Sequence, residues 1–148
     1  MKFHQPVAEI LVPDGRPVAE ALARTTHLGI GAHPDDLEIN MAHGILECFG
    51  RADAAFTGVT CTDGAGSARA GVYASYTDAQ MVAVRREEQR TAARLGRYAA
   101  IAQLAFTSAQ VKSPAGRGPL VEDLVALLRA ARPRVVYTHN PADKHATH

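Results

Sequence analysis

Four short apolar runs, Leu28–Ala32, Ala54–Cys61, Ile101–Phe106 and Arg134–Tyr137, are separated by longer stretches whose apolar residues recur at helical spacing. This alternation constrains the chain more than any other feature. Short buried strands joined by helical crossovers require a parallel sheet with helices packed on it, so the fold class is α/β. Leu37, Met41, Ile45 and Cys48 follow one another at steps of four, four and three, and predict one face of a helix that ends at Gly50. Thr77 and Gln80 fit a capping box. Met81, Val84, Ala92 and Leu95 predict the buried stripe of the helix that follows, with Glu88 interrupting it and Gly96 closing it. After a polar loop, a helix starting at Pro119 carries Leu120, Leu124, Leu127 and Ala131 on one side and stops at Pro133. Arg134–Tyr137 reads as a fourth buried strand. Residues 62–78 lack an apolar period and carry Gly64, Gly66 and Gly71, which predicts a long loop, and long ordered loops tend to be functional.

At 148 residues the pattern fits a single domain, with residues 1–26 as an N-terminal extension packed on it and a helix started at Pro17. Sixteen basic residues face fifteen acidic ones, a formal charge of +1, so no general field draws the chain to nucleic acid or anionic lipid. No run approaches the ~18 apolar residues of a spanning helix. Glu9, Pro13 and Asp14 break any signal-like core near the start, and the reading is a cytoplasmic chain without nucleic-acid or membrane partners. Cys48 and Cys61 lie too far apart for a CxxC motif and make no disulfide framework, so two buried free thiols are expected.

The two densest clusters of His and Asp both follow strands, at the carboxyl ends where an open parallel sheet places its ligand. His33 and Asp36 sit three apart at a strand-to-helix junction, where one turn can aim both side chains at a single ion. His145 and His148 are again three apart, so a helical turn puts both imidazoles on one side. Together they offer more than three ligands. Two imidazoles and one carboxylate suit a borderline divalent ion such as Zn²⁺, with a fourth position left for water in a catalytic site. Asp35 is then free to take a proton from that water, and His145, if not a ligand, can donate to an oxyanion or a leaving group.

Ala32-His33-Pro34-Asp35-Asp36, the run from Arg85 to Gly96 that opens on RREEQ and closes on LG, and Asp143-x-His145-x-x-His148 occur in that order. Together they resemble the LmbE-like, PIG-L family, the relatives of GlcNAc-phosphatidylinositol de-N-acetylase, from about Leu28 to the C-terminus. The resemblance implies a Rossmann-like fold, an open and mostly parallel sheet with helices on both faces. It also implies deacetylation of N-acetylated amino sugars or their conjugates, dependent on zinc or another divalent transition metal. Position by position, it implies that His33, Asp36 and His148 are metal ligands and Asp35 the general base. His145 is then the oxyanion-stabilising or acid histidine, and Arg85 a substrate contact. Two departures stand out. Many relatives read His-Pro-Asp-His at the last motif, whereas this chain reads His145-Ala146-Thr147-His148, and Asp143 is expected to supply the missing carboxylate's hydrogen bond. Family chains also continue past the last ligand, so the C-terminal part of the family domain is expected to be missing, leaving a sheet edge that either pairs with a second copy as a homo-oligomer or is covered by the missing residues.

Simpler roles compete at each position. Asp35-Asp36 alone reads as a helix N-cap pair, Arg85 and Glu88 as an i,i+3 ion pair, and Gly64 and Gly66 as a tight turn. His4, His27, His43 and His139 read as structural or surface residues, although His139 is near enough to line the site. The rival to an enzyme is a non-catalytic module for a nucleotide or nucleotide sugar, supported by Gly29-x-Gly31. Pro34 stands where a dinucleotide fingerprint needs its third glycine. A third reading is an inactive relative retained as an interaction protein.

Overall fold

The computed structural model describes residues 1–148. In chain order it contains β1 (Glu9–Leu11), α1 (Val18–Ala23), β2 (His27–Gly31), α2 (Asp36–Asn40), α3 (Ala42–Cys48) and β3 (Phe56–Thr62). A 3₁₀ turn (Gly71–Tyr73), α4 (Asp78–Leu95), β4 (Ala100–Phe106), α5 (Ser108–Lys112), α6 (Pro114–Ala131) and β5 (Val135–Tyr137) complete it. The strands form one sheet in the order β1-β4-β3-β2-β5, in which only β1 runs antiparallel.

β3 and β4 are buried at every residue, Thr57, Thr60, Thr62 and Gln103 included, which is why neither shows an apolar-polar alternation in step with one exposed face. Their side chains nevertheless divide between two cores. Val59, Cys61, Ala100, Ala102, Leu104 and Phe106 pack with α1 and α6 on one face. Phe56 and Ile101 pack with Leu37, Met41, Cys48 and Ala93 of α2, α3 and α4 on the other. Helices therefore cover both faces, the Rossmann-like arrangement that the resemblance implies. Gly58 permits the close approach of α2, since a Cβ there would stand 2.6 Å from Leu37 Cδ1 and 2.9 Å from Ile101 Cδ1. Cys48 and Cys61 are free and buried, and burial pushes the Cys61 thiol up to about 12.

Several expectations need correction. The run Val135–Tyr137 is an edge strand paired only with β2, and Val135 and Val136 are 38% and 48% exposed rather than buried. β1 was not anticipated, because three residues are too few for periodicity to register, yet the N-terminal segment supplies the opposite edge of the sheet. The helix expected from Leu37 to Cys48 divides at Met41, whose backbone (φ −123°, ψ 18°) leaves the helical region. The helix expected from Pro119 starts five residues earlier, at Pro114, with the Ser113 hydroxyl capping the Gly116 amide at 3.1 Å. The polar loop before it holds α5, started by the Thr107–Gln110 capping box.

The buried stripe of α4 is also rotated from the expected one. Met81, Gln89 and Ala93 are buried and Arg85 is largely covered, whereas Leu95 is 74% exposed. Steps of four lead through Met81, Arg85, Gln89 and Ala93, a stripe that apolar counting misses because two of its members are polar. Glu88 lies off it, exposed, and interrupts nothing.

His4 is structural. Its backbone amide and its Nδ1 both meet the buried Asp123 carboxylate of α6, the ring at 2.8 Å, which fastens the N-terminus to that helix. The hydrogen bond to Asp123 raises the His4 pKa above its usual 6.5. A raised folded value means this anchoring is complete below the unfolded imidazole's pKa and is lost as pH rises through the folded one. Hydrogen exchange of the first residues should therefore accelerate, beyond the intrinsic base-catalysed rate, as pH rises above the usual imidazole range, and His4→Ala should abolish that extra step.

Candidate functional site

From β2 the chain steps outward through β3 and β4, and α6 then carries it back to the far side of β2, where β5 pairs. The carboxyl ends of β2 and β5 thus flank the point at which strand order reverses, the crevice where open α/β sheets bind ligands. The segments that follow these two strands carry the two His/Asp clusters.

After β2, Gly31 lets α2 close on the sheet, since a Cβ there would stand 2.8 Å from Asp36 Cβ. Asp36 is buried. Its Oδ2 accepts the His33 amide at 2.6 Å and lies 3.4 Å from His33 Nδ1. Burial pushes the Asp36 carboxyl up, but hydrogen bonds from the His33 ring and amide, with the nearby histidine charges, outweigh it and hold it below the usual range. After β5, the Asn140 carbonyl turns the chain by accepting the Asp143 amide, and the His148 amide closes a second turn on the His145 carbonyl at 3.1 Å. That turn brings the two imidazoles together with ring centroids 4.3 Å apart. Asp143 accepts the His145 amide at 2.8 Å and meets His148 Nδ1 at 2.9 Å, the hydrogen bond anticipated for it. The His148 hydrogen bond holds the Asp143 carboxyl low, and it leaves His148 Nε2 turned toward Asp36 Oδ1 at 3.8 Å.

Two overlapping groups of ligand-type atoms result, each lying within 4.8 Å of one another: His33, His145 and His148, and Asp36, His139 and His148. The structure therefore brings His33, Asp36, His145 and His148 into one cluster around His148. It adds His139, for which the sequence predicts a structural or surface role. That ring is nearly covered and stacks on His148 with centroids 3.8 Å apart. Its Nε2 accepts the Ala32 amide at 2.9 Å and lies 3.2 Å from Asp36 Oδ2. Burial lowers its pKa. His139 was detectable as the first histidine beyond the end of β5.

Asp35 takes a left-handed backbone conformation, φ 94°, and its side chain makes no helix cap, so the N-cap reading fails. Its Oδ2 instead meets Arg85 at 2.5 Å, while Arg85 also donates to Glu88 at 2.5 Å and to the Pro34 carbonyl. The i,i+3 pair is real, but Arg85 is 16% exposed and serves Asp35 as well. The backbone of Asp35 is held separately. Gln89 Oε1 accepts its amide at 3.2 Å, Gln89 Nε2 donates to Glu38 at 2.9 Å, and the Tyr98 hydroxyl donates to the same Glu38 oxygen at 2.6 Å. Burial, reinforced by Glu38, pushes the Tyr98 phenol well above its usual value, so it remains a donor. A residue at positive φ persists only when its surroundings over-determine it, and this network does so. Gln89→Ala should destabilise the protein by about 1–3 kcal/mol, read by urea unfolding, because it strands buried polar partners. Gln89 closes the RREEQ run that carries the resemblance but has no role assigned there, whereas Glu38 and Tyr98 carried no signal as site residues, being positions within ordinary helix and turn patterns.

His33, Asp35, Arg85 and His145 line a cleft of about 710 Å³ whose other wall includes Ser67 and Tyr73 of the long loop and Lys112 of α5. Gly64 belongs to that wall for a steric reason: its φ is +76°, and a Cβ would stand 2.9 Å from Arg85. The loop is ordered by Arg69, which donates to the Ala65 and Ser67 carbonyls at 2.7 and 2.8 Å and pairs with Asp78.

A family model described as PIG-L, GlcNAc-PI de-N-acetylase, matches residues 28–148. No curated protein and no solved structure matches the chain significantly.

Proposed function

The chain belongs to the PIG-L family, GlcNAc-PI de-N-acetylase, and on that premise we propose that it is a metal-dependent hydrolase, a zinc N-deacetylase of an N-acetyl amino sugar or its conjugate. The observation that carries this reading is the convergence on Asp36 of ligand-type atoms from the ends of two separate strands. Atoms bound to zinc at tetrahedral distances stand roughly 3.3 Å apart. His33 Nδ1 lies 3.4 Å from Asp36 Oδ2 and His148 Nε2 lies 3.8 Å from Asp36 Oδ1, one imidazole at each carboxylate oxygen, and imidazole with carboxylate is the usual donor set of such a centre. His33, Asp36 and His148 would hold the ion, with Asp143 orienting His148. When bound, zinc or another divalent transition metal supplies Lewis-acid charge and lowers the pKa of water toward ~7.

Asp35 acts as general base. Arg85 engages its Oδ2, which leaves Oδ1 to accept a proton from the attacking water. The water oxygen adds to the acetamide carbon, His145 donates a hydrogen bond to the resulting oxyanion, and the carbon–nitrogen bond breaks as Asp35 passes its proton to the departing amine. Acetate and the free amino sugar are the products. Arg85 orients Asp35 and, from the same wall of the cleft, contacts the substrate.

Residues 1–148 form one such domain in this reading. No helix is long and apolar enough to cross a membrane, and the two free thiols suit a reducing, cytoplasmic setting. The open edge of β5 is where a homo-oligomer would form. The nucleotide-module reading loses its best support because Gly29 and Gly31 serve packing: Cβ atoms there would collide with Phe56, Met41 and Asp36.

The test is metal content by elemental analysis of protein purified without chelator or histidine tag, beside Asp36→Ala, together with amine release from N-acetylglucosamine conjugates. About one zinc per chain, lost in the variant, with amine released, is the expected result. Metal-free protein that stays so when zinc is supplied, or that binds NAD or nucleotide sugars tightly, would overturn the reading.

A further inference from the structure

At the opposite end of the sheet from the histidines lies a cavity of about 400 Å³, near the amino ends of β2, β3 and β4. It is lined by Arg24, Arg51, Arg94 and Arg97, and Asp14 is its one carboxylate. In a chain of formal charge +1, four arginines lining one concave surface concentrate basic residues there, and three of them are paired to carboxylates. Helix ends account for part of it, because Arg24 caps α1 and Arg94 lies in the last turn of α4, where a basic residue offsets the partial negative charge of the helix terminus. Arg97 follows the C-cap of α4 and shares in that effect, while Arg51 lies three residues beyond the end of α3.

The carboxylates nearby are already shared. Asp14 serves Arg16 and Arg24, Glu87 serves Arg90 and Arg94, and Asp53 serves Arg51 through a pair exposed on both sides. Exposed pairs of this kind are weak and exchange readily for a better acceptor. Arg97 has no carboxylate partner. Its guanidinium lies 5.2 Å from the centre of the Phe49 ring, and its backbone sits in the left-handed region, φ 52°, just past the end of α4, where glycine is the usual residue. An arginine at a glycine-favouring position, without a carboxylate partner and beside three others, points to a ligand.

We propose that this cavity binds a phosphate-bearing anion. The guanidinium fork matches phosphate oxygens two at a time, and several forks around one concave space favour a group with many oxygens over a single carboxylate. The volume falls in the range of small-ligand sites. The site is separate from the histidine cleft and does not depend on the deacetylase reading.

The probe is inorganic pyrophosphate, titrated by calorimetry at low ionic strength into metal-free protein. Binding should weaken about tenfold or more in Arg97→Gly and in Arg51→Ala and should be unchanged in His148→Ala, which reports on the other end of the sheet. Arg97→Gly suits the left-handed backbone, so it retains the fold while removing the charge. A parallel arm tests flotation with phosphatidylcholine vesicles with and without a phosphoinositide. Arg97-dependent flotation with the phosphoinositide vesicles identifies a lipid headgroup as the source, and Arg97-dependent pyrophosphate binding without flotation identifies a free phosphate compound. No binding in either arm, or binding insensitive to both arginine variants, would overturn the proposal.

Discussion

Asp35→Asn should lower kcat by about 10²–10⁴-fold while the protein keeps its metal, its fold and its melting behaviour. The substitution removes the carboxylate that accepts the water's proton and little else. Asn is among the few residues that tolerate a left-handed backbone, which residue 35 adopts at φ 94°, so the turn survives. An amide oxygen still accepts from Arg85, and Gln89 still holds the backbone amide of residue 35. Asp36, His33 and His148, which would hold the ion, are untouched. Steady-state rates on an N-acetylglucosamine conjugate, beside elemental analysis of the same sample, give the answer. A variant that lost its metal but kept full activity per bound ion would show that the roles of Asp35 and Asp36 are misassigned.

Leu37→Ala should cost about 2–5 kcal/mol in urea or thermal unfolding. Leu37 is fully buried, and its methyl groups lie over Gly29, Gly31 and Gly58, three positions left bare in β2 and β3. Glycines cannot rearrange to fill the space a truncated side chain vacates, so the cavity should persist. Leu37 also adjoins Asp36, and loosening α2 should weaken metal retention along with stability. A loss below about 1 kcal/mol would mean that α2 is not anchored through this contact.

How far the site was legible depends on how local each feature is. His33 and Asp36 share one turn, and His145 and His148 share another, so spacing alone could bring each pair together. Asp143 was legible for the same reason, being within reach of His148 along the chain. The contacts made by Gln89, Glu38 and Tyr98 were not. Each acts on a residue distant in sequence, as when Gln89 holds the Asp35 amide across 54 positions, and no periodicity encodes such a contact. The stripe of α4 illustrates the same limit: Arg85 and Gln89 face inward because polar partners await them there, and apolar counting points to another face.

The amino-acid sequence by itself determined that this protein is an α/β chain with helices linking buried strands, and that ligand-type residues follow two of those strands. Those properties rest on periodicity and on residues within one turn of each other. Tertiary structure alone decided that β5 returns beside β2 as an exposed edge rather than joining the sheet beyond β4, and so that the two clusters meet at the crevice. Strand order depends on which sheet face α6 covers as it crosses back, and Leu120, Leu127 and Ala131 seat it on the face it shares with α1. Apolar spacing records which side chains are hidden from water, but not which neighbours hide them.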